Sequence, residues 1–593
     1  MLRTLIRCGA VAGVVGLGAC ELEVINPNSP TTIQVKLTPA DLENFLGTQF
    51  RRWHSSLHGT TANVWGMANV MSFENFSTLS NNCQGQRVGI PRPGNDNAVG
   101  NACGSEQARV FTQASEAARS VSDVLRRLDE GLTFGSEAQD LRGRSFAEFL
   151  RGVSLGYLAM IYDSASIIRP DDPLTPQGTA EPGELSGYKE VMAEALVALD
   201  NAQAAAAAAG ALPASSTNFP LPSTWINGYT PTAAQFIQLI RSFKARFRAN
   251  NARTPAERAA VNWDQVIADA QAGITADWKV TTNTVTGPFN TWPAQTYAYN
   301  TWHQMTPFIF GMADKTGAYG TWIATPLATR GSGSVPYFQV SDDQRLPQGA
   351  DRASQQADFA LTSCTGAAQI CKRYFVNRQT LDPAASPSWG ASQYDHARFY
   401  SWRTSGSAGT GQNGPFPFFT VAELNMLEAE GHIRKSNFAA AAALIDKTRA
   451  ACGPAGAGAA GCTARPAGNG DPNTGGGLPK LAGVVADGVT PVPGGTACVP
   501  RIPVNATSAG GGTTTCGNLF EAMKWEKRIE TAFTHFAGWF FDSRGWGDLA
   551  VNTPLHWAPP NEELTTRFRV GAQIYSTGGP NPTGGAATSG YGW

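Results

Sequence analysis

The stretch TVAELNMLEAEGHIRKSNFAAAAALIDKTRAAC, Thr420–Cys452, predicts two helices joined by a short turn. The first helix is expected to end near Lys435, and Ser436–Asn437 form the turn before a second helix that begins at Phe438. A helix pair of this length is close in size to a tetratricopeptide unit. The stretch therefore predicts a mainly α fold, in which tetratricopeptide-like helix pairs make a scaffold.

Other parts of the chain show the same helical spacing of apolar residues. In SFAEFLRGVSLGYLAMIYD, Ser145–Asp163, the small residues Gly152 and Gly156 allow a neighbouring helix to approach closely. The helical scaffold is expected at about 38–280 and 416–549, and loop-rich regions on the ligand side at about 60–103, 281–415 and 453–517. We predict one domain, residues 20–593, after a signal peptide.

A cluster of aromatic residues lies near the end of the predicted scaffold. The stretch NLFEAMKWEKRIETAFTHFAGWFF, Asn518–Phe541, predicts one long helix on which Phe533, Phe536 and Phe540 share a stripe. On another face, Lys527 and Glu530 are three residues apart and are expected to pair. We therefore interpret the aromatic cluster as part of the scaffold and not as a ligand site.

The charge of the chain excludes some classes of partner. The formal net charge is −1 and only 15% of the residues are charged. Binding to nucleic acid or to an anionic membrane surface depends on an excess of basic residues. The sequence therefore gives no electrostatic support for either partner.

The N-terminal residues are typical of a targeting segment. Arg3 and Arg7 precede the apolar run CGAVAGVVGLGAC, which is too short to span a bilayer. The run ends in Leu17–Cys20, which resembles a bacterial lipobox. We expect residues 1–19 to be removed as a signal peptide and Cys20 to carry the lipid, so that the protein is attached to a membrane without crossing it.

The remaining cysteines are close together in pairs, in or beside loops rich in small polar residues. An exported chain meets an oxidising compartment, where such pairs form disulfides. Zinc is the alternative, but no Cys-x2-Cys or Cys/His spacing supports it. Pairing between nearest neighbours is our prediction: Cys83 with Cys103, Cys364 with Cys371, Cys452 with Cys462, and Cys498 with Cys516.

Common catalytic motifs are missing from the sequence. It contains no Gly-x-Ser-x-Gly elbow, no His-Glu-x2-His and no Gly-rich nucleotide loop. His54 and His58 are four apart, as two zinc ligands on one helix turn would be, but a third ligand is not evident. We interpret the pair as polar-face or capping residues and predict no enzyme activity, no metal and no cofactor.

The strongest candidate for function is the stretch FNTWPAQTYAYNTWHQMTPFIFGMADKTGAYGTW, Phe289–Trp322. Nine of its 34 residues are aromatic, against 10% for the chain, and they alternate with Asn, Gln and Thr. Aromatic faces beside hydrogen-bonding groups suit sugar rings. Extended peptide is a second possible ligand, and packing of the loops onto the helices is the structural alternative. The candidate ligand contacts are Trp292, Tyr297, Tyr299, Trp302 and Trp322, with Trp65 in a separate loop.

Several segments, taken in order, resemble the SusD/RagB family of outer-membrane nutrient-binding lipoproteins. The lipobox with the following Asn26–Pro27 tether is similar to the start of that family, and DDQR, Asp342–Arg345, resembles its short Asp-x-Arg motif. The residues Ala422–Glu423 and Glu428–Glu430 are similar to a pattern of a helix pair in the family. WEKRIETAFTHFAGWFFDSRGWGD, Trp525–Asp548, resembles its C-terminal motif.

The resemblance implies a non-catalytic protein on the outer membrane, attached by its lipid and facing the exterior. It implies that the protein captures an oligosaccharide or polysaccharide and delivers it to a TonB-dependent transporter of the SusC type. Peptide ligands are the alternative within this role. The rivals from other classes are a secreted hydrolase on a helical scaffold and a helical-repeat scaffold that binds only proteins.

The lipobox leads to a test of membrane attachment. Cys20→Ala is expected to leave an exported but soluble protein, because acyl chains contribute about 0.8 kcal/mol of membrane affinity per buried CH₂. Fractionation of cells that lack the proposed transporter measures this. A variant that still sediments with outer membranes would contradict the lipid anchor.

Overall fold

The structure is a computed structural model, and it describes most of the chain after residue 37. The described residues are 38–58, 64–77, 84–98, 101, 103–174, 183–213, 218–283, 288, 303–330, 337–358, 373–378, 390, 392–399, 402, 413–451, 475–567 and 591–593. The predicted lipidation site Cys20 lies outside them.

Helices of four to 26 residues form most of the first half of the structure. They are α1 (Pro39–His58), α2 (Val64–Met71), α3 (Gly85–Val88), α4 (Gly104–Asp129), α5 (Glu137–Ile161), α6 (Tyr188–Ala211), α7 (Ala233–Asn250), α8 (Pro255–Ala259) and α9 (Trp263–Gln271). Neighbours in the chain pack against each other from α4 to α7, and α1 lies against α4. This serial packing and the later helix pair confirm the prediction of a mainly α scaffold.

Two glycines of α5 allow this close packing, as the sequence predicted. A Cβ atom at Gly152 would lie 2.7 Å from Leu199 of α6, and one at Gly156 would lie 2.2 Å from the ring of Phe247 on α7. Both distances are shorter than a van der Waals contact, so a larger residue would push the helices apart. The helix starts are capped in the usual way, for example by Thr232, whose side chain accepts from the Gln235 N–H at the start of α7.

The next region has short elements. It contains β4 (Trp278–Thr282), β5 (His303–Gln304), α10 (Pro307–Phe310), α11 (Ala318–Ala324), α12 (Arg352–Asp358), β6 (Phe375–Asn377), β7 (Tyr394–His396) and β8 (Gly414–Phe419). Three two-stranded antiparallel sheets order its described part. In these, β4 pairs with β8, β6 pairs with β7, and β5 pairs with β1 (Phe76–Ser77). A further pair, β2 (Ser164–Ser166) with β3 (Leu185–Gly187), joins the exit of α5 to the start of α6.

The helix pair predicted from Thr420–Cys452 is present as α13 (Val421–Arg434) and α14 (Phe438–Arg449). After it come β9 (Arg501–Val504), β10 (Thr513–Cys516), α15 (Leu519–Thr531), α16 (Gly538–Trp546) and α17 (Asn561–Thr566). The first helix of the pair packs against α9 and α15, and α14 packs against α15. The C-terminal helices therefore continue the stack that α4–α7 begin.

Two of the predicted element assignments are wrong. Trp65, expected in a loop, lies on α2, all eight residues of which are buried. The single long helix expected after Asn518 is broken between α15 and α16, where Phe533 and Ala537 have φ values of 60° and 53°. Such left-handed backbone is uncommon for residues other than glycine, so contacts from elsewhere in the fold must impose it.

The break explains how the three phenylalanines of the predicted stripe are used. All three are buried, but each ring meets a different neighbour. The ring centroid of Phe533 lies 4.7 Å from that of His396, Phe536 lies 5.7 Å from Trp65, and Phe540 lies 5.3 Å from Trp557. The interpretation of these residues as scaffold is consistent with their burial, although they do not share one helix face.

Among the described residues, no helix is long and apolar enough to cross a bilayer. One predicted disulfide is present between Cys498 and Cys516, with a Cα–Cα distance of 5.8 Å. Cys103 is also disulfide-bonded. The other predicted cysteines, Cys83, Cys364, Cys371, Cys452 and Cys462, lie outside the described residues.

The disulfide between Cys498 and Cys516 is expected to stabilise the β9–β10 hairpin against unfolding. It closes a loop with a sequence separation of 18 residues, which corresponds to about 3 kcal/mol in the chain-entropy model. The double variant Cys498→Ser/Cys516→Ser should therefore melt at a lower temperature than the wild type in calorimetry without reductant. Equal melting temperatures would show that the hairpin contributes nothing to the cooperative unit.

Candidate ligand-binding surface and the buried charges beneath it

Arg345, the last residue of the DDQR motif, is completely buried and faces three carboxylates. Its Nη2 lies 2.6 Å from Asp343 Oδ2, and its Nη1 lies 2.7 Å from Glu526 Oε2 and 3.0 Å from Glu530 Oε1. The Trp525 indole N–H also donates to Asp343, over 3.0 Å. Because Glu526 and Glu530 are on α15, Arg345 connects the region between β4 and β8 to the C-terminal helices.

The two glutamates of the α13 motif make similar connections. Glu423 accepts two hydrogen bonds from Arg246 of α7, over 2.6 and 2.8 Å. Glu430 accepts two from Arg258 of α8, over 2.6 and 3.0 Å, and Arg258 also lies 3.2 Å from Asp542 of α16. Bidentate pairs of this kind are the strongest charged hydrogen bonds in proteins. The motif residues therefore join α13 to three other helices.

The C-terminal motif contributes charges to the same interior, but with other partners than predicted. Lys527 does not pair with Glu530: its Nζ lies 2.7 Å from Asp542 Oδ1, because the break before α16 turns that carboxylate back towards α15. Arg544 satisfies backbone groups where α16 meets its neighbours. It donates to the carbonyl oxygens of Met160, Leu555 and Asn250.

The pKa values of these carboxyl groups follow from their partners. Burial would raise the pKa of Glu430, but the charge and hydrogen bonds of Arg258 outweigh it and lower that pKa to about 2. At Glu526, burial raises the pKa above its ordinary value, although Arg345 opposes the shift. Arg345 divides its charge among three carboxylates, so Glu526 has the weaker compensation. Burial and the ion-pair partners therefore account for the shifted pKa values of Glu430 and Glu526.

The prediction that His54 and His58 are polar-face or capping residues is wrong. Both histidines are part of the aromatic core. Their ring centroids are 5.1 Å apart, and the His58 ring lies 4.3 Å from Phe418 and 4.8 Å from Trp65. Burial lowers the pKa of His54 to about 3 and also lowers that of His58. In the described part of the chain, no three His, Cys, Asp or Glu side chains are grouped to hold a metal ion.

Four of the predicted ligand contacts lie on a segment whose two flanks are described. Trp292, Tyr297, Tyr299 and Trp302 are themselves outside the described residues. On the N-terminal side, β4 is paired with β8, and the Asn283 N–H donates to the Pro288 carbonyl oxygen over 2.9 Å. The chain therefore enters residues 289–302, which we call the aromatic segment, from an ordered sheet.

The C-terminal flank of the aromatic segment is attached to the region after α2. His303 and Gln304 form β5, which pairs with Ser77 and Phe76 of β1. The Thr306 hydroxyl donates to the Phe73 carbonyl oxygen over 3.1 Å. Both ends of the segment are thus fixed to elements that belong to the packed core.

Glu74, beside this attachment, is a completely buried carboxyl group. Its Oε1 accepts a hydrogen bond from the Phe533 N–H over 2.7 Å, at the residue where the chain turns between α15 and α16. Its Oε2 has no hydrogen-bond partner among the described residues. Burial raises the pKa of Glu74 to about 8, so the group is mostly protonated at neutral pH.

The other two predicted contacts are described, and both are buried. Trp65 is 0% exposed and packs against His58 and Phe536. Trp322, on α11, is 4% exposed, and its ring centroid lies 4.9 Å from that of Phe308. Neither ring presents a face on which a ligand could stack, because each fills space between packed elements.

A cleft that no sequence motif indicates lies between α1, α4 and α17. On α4 it is lined by Thr112, Ser115 and Arg119, which are three and four residues apart. This spacing places them on one helix face, but a solvated face has the same pattern. The cleft exists only because α17, from the end of the chain, packs beside that face.

The described structure is thus a helical scaffold with an irregular region attached by buried ion pairs.

The chain matches no protein-family model and no curated protein. Its structure is similar to solved structures of SusD-like proteins. A SusD homolog from Bacteroides thetaiotaomicron has a TM-score of 0.46 and 13% sequence identity, and the match covers 91% of this chain and 98% of that chain. A SusD homolog from Parabacteroides distasonis has a TM-score of 0.46 and 12% identity, covering 85% of this chain and 84% of that chain. A SusD-like carbohydrate binding protein from Bacteroides vulgatus has a TM-score of 0.39 and 13% identity, covering 69% of this chain and 74% of that chain.

The raised pKa of Glu74 predicts a stability that falls as the pH rises. Between the ordinary value of 4.5 and about 8, the folded protein holds a proton here that the unfolded chain has lost. The stabilisation is therefore complete below about pH 4.5 and is lost as the pH passes 8. From about pH 6 to about pH 8 the group should cost roughly 2 kcal/mol of the free energy of unfolding.

Chemical denaturation across this range, with the wild type and Glu74→Gln, measures the effect. Glutamine keeps an oxygen for the Phe533 N–H but cannot ionise, so the variant should lose stability less steeply with pH. Identical slopes for the two proteins would show that Glu74 is ionised in the folded state.

Proposed function

We propose that this protein is a non-catalytic binding protein that captures an oligosaccharide through the aromatic segment. The observation that carries the proposal is the combination of composition and attachment. Five of the fourteen residues from Phe289 to Trp302 are aromatic, and both flanks of the segment are fixed to the scaffold. A binding surface on fixed supports loses less conformational entropy when the ligand binds.

The chemistry of the segment favours a sugar. The rings of Trp292, Tyr297, Tyr299 and Trp302 offer apolar faces for the C–H groups of a pyranose. The amides of Asn290, Gln295 and Asn300 alternate with them and can both donate to and accept from hydroxyl groups. An extended peptide is the second ligand class with which this composition is compatible.

The partners of several buried titratable groups support a role without catalysis. Glu430 and Arg258 hold each other, and Glu526 and Glu530 surround Arg345. His54 and His58 are buried among aromatic rings. These groups would be the first candidates for acid–base work in a hydrolase, and each already has a structural role.

The location and partner that we propose rest on the sequence motifs. The lipobox at Leu17–Cys20 supports attachment to the outer membrane through Cys20, with the protein facing the exterior. The resemblance to SusD/RagB proteins supports delivery of the captured ligand to a TonB-dependent transporter of the SusC type. Co-purification of such a transporter with the lipid-anchored protein from native membranes tests the partner.

Trp292→Ala and Trp302→Ala should each weaken binding of the captured oligosaccharide. If each ring stacks on one sugar unit, the loss is about 1–3 kcal/mol, which is roughly tenfold to a hundredfold or more in dissociation constant. Calorimetric titration with a panel of oligosaccharides, together with thermal melting, measures both effects. The melting temperatures of these variants should stay close to the wild-type value.

Trp539→Ala is the matched control, because Trp539 is 1% exposed and lies in the core. This variant should melt at a lower temperature, since the loss of a buried tryptophan costs about 3–5 kcal/mol, and it should bind normally where it is folded. If the loop variants melt early and bind unchanged, their rings are core residues and the proposal is wrong. Binding of peptides alone would change the ligand class, and release of products from the panel would indicate a hydrolase.

A further inference from the structure

A cleft with a volume of about 560 Å³ opens between α1, α4 and α17. Its described lining also includes Ser166 of β2 and Ile168 just after it. Pockets for small ligands commonly have volumes of roughly 300–1,000 Å³, so the cleft is large enough to hold one. It has a floor of buried apolar side chains and walls of polar and charged ones.

The walls carry three ion pairs. Each places guanidinium N–H donors directly beside carboxylate acceptors. A hydroxyl group both donates and accepts a hydrogen bond, so a wall with both partners side by side suits a ligand with many hydroxyls. The pairs are Arg119 with Asp172 (3.0 Å), Arg567 with Glu563 (2.6 Å) and Arg52 with Glu116 (3.9 Å).

The rest of the lining has the same character. Phe111 and Ile168 also line the cleft, but each is only 4% exposed, so they contribute little contact area and the polar walls must hold the ligand. Hydroxyl groups from α4, β2 and α17 line the cleft as well. They belong to Thr112, Ser115, Ser120, Ser166 and Thr566.

The charges of the cleft favour a neutral ligand. Its described lining residues include three arginines (Arg52, Arg119 and Arg567) and three glutamates (Glu116, Glu562 and Glu563). With Asp172, which pairs with Arg119 just outside the lining, the carboxylates outnumber the arginines by one, so the charges nearly balance. A charged ligand would have to compete with an ion pair that already exists. A neutral polar ligand can add hydrogen bonds to the pairs without breaking them.

We propose that this cleft is a second saccharide site, which binds a neutral oligosaccharide through the Arg119–Asp172 and Arg567–Glu563 pairs of its walls. The choice of sugars as the ligand class agrees with the proposed function and extends it to a new place on the scaffold. The described residues of this cleft are distinct from the aromatic segment, so the two sites can be tested separately.

The test uses the full chain and calorimetric titration with maltohexaose, cellohexaose, xylohexaose and mannohexaose. In the double variant Trp292→Ala/Trp302→Ala, which removes the proposed aromatic contacts, binding of at least one sugar should remain. Adding Thr112→Trp, which fills the cleft from an exposed position, should abolish that remaining binding. Arg119→Gln, which removes one wall donor pair at similar size, should weaken it about tenfold. Val197→Trp is the matched control, because Val197 is a half-exposed residue of α6 that does not line the cleft.

The outcomes separate the two proposals. Loss of all binding in the tryptophan double variant would overturn the cleft site and leave the aromatic segment as the only site. The tryptophan double variant could bind as tightly as the wild type and lose all binding when Thr112→Trp is added. That result would support the cleft as the ligand site and contradict the proposal that the aromatic segment binds the ligand. No binding of any sugar by the wild type would overturn both. An equal effect of Val197→Trp would show that Thr112→Trp acts through the fold and would overturn the assignment of the remaining binding to the cleft.

Discussion

Arg345 is the residue on which the arrangement of the protein most depends. Its completely buried guanidinium is held by Asp343 from its own loop and by Glu526 and Glu530 from α15. A buried charge of this kind is tolerated only while all its partners are present, and breaking one such pair costs about 3–5 kcal/mol. The irregular region between β4 and β8 therefore cannot leave the C-terminal helices without exposing or isolating these charges.

The other buried pairs extend this constraint through the scaffold. Glu423 ties α13 to α7 through Arg246, and Glu430 ties it to α8 through Arg258. The glutamates that stand in the family-like pattern of α13 are thus structural. Their place is the interior between helices. The ligand contacts that we propose therefore lie elsewhere, in the aromatic segment and in the cleft.

The turn between α15 and α16 shows how distant parts of the chain decide local structure. Phe533 adopts a left-handed backbone conformation because Glu74 accepts its N–H and His396 packs on its ring. The same region after α2 carries β1, which fixes the end of the aromatic segment at His303–Gln304. The buried contact between Glu74 and Phe533 therefore links the last helices of the scaffold to the region that holds one end of the proposed ligand-binding segment.

The sequence by itself determined that the long scaffold helices form and where the α13–α14 pair turns. The apolar period of Ser145–Asp163, the glycines that α5 needs and the turn at Ser436–Asn437 all act over a few residues, so their effects can be predicted locally. The disulfide between Cys498 and Cys516 was predictable for the same reason, since its partners are close in the chain.

Only the tertiary structure decided which charges pair, which rings are buried and where the cleft lies. Lys527 meets Asp542 and not Glu530, and Trp65 lies in the core and not in a loop, because helices far apart in sequence meet at these points. The cleft beside Thr112 needs α17, more than four hundred residues further along, to form its other wall. Long-range packing selects among local possibilities of similar free energy, and a local pattern of residues cannot show that selection.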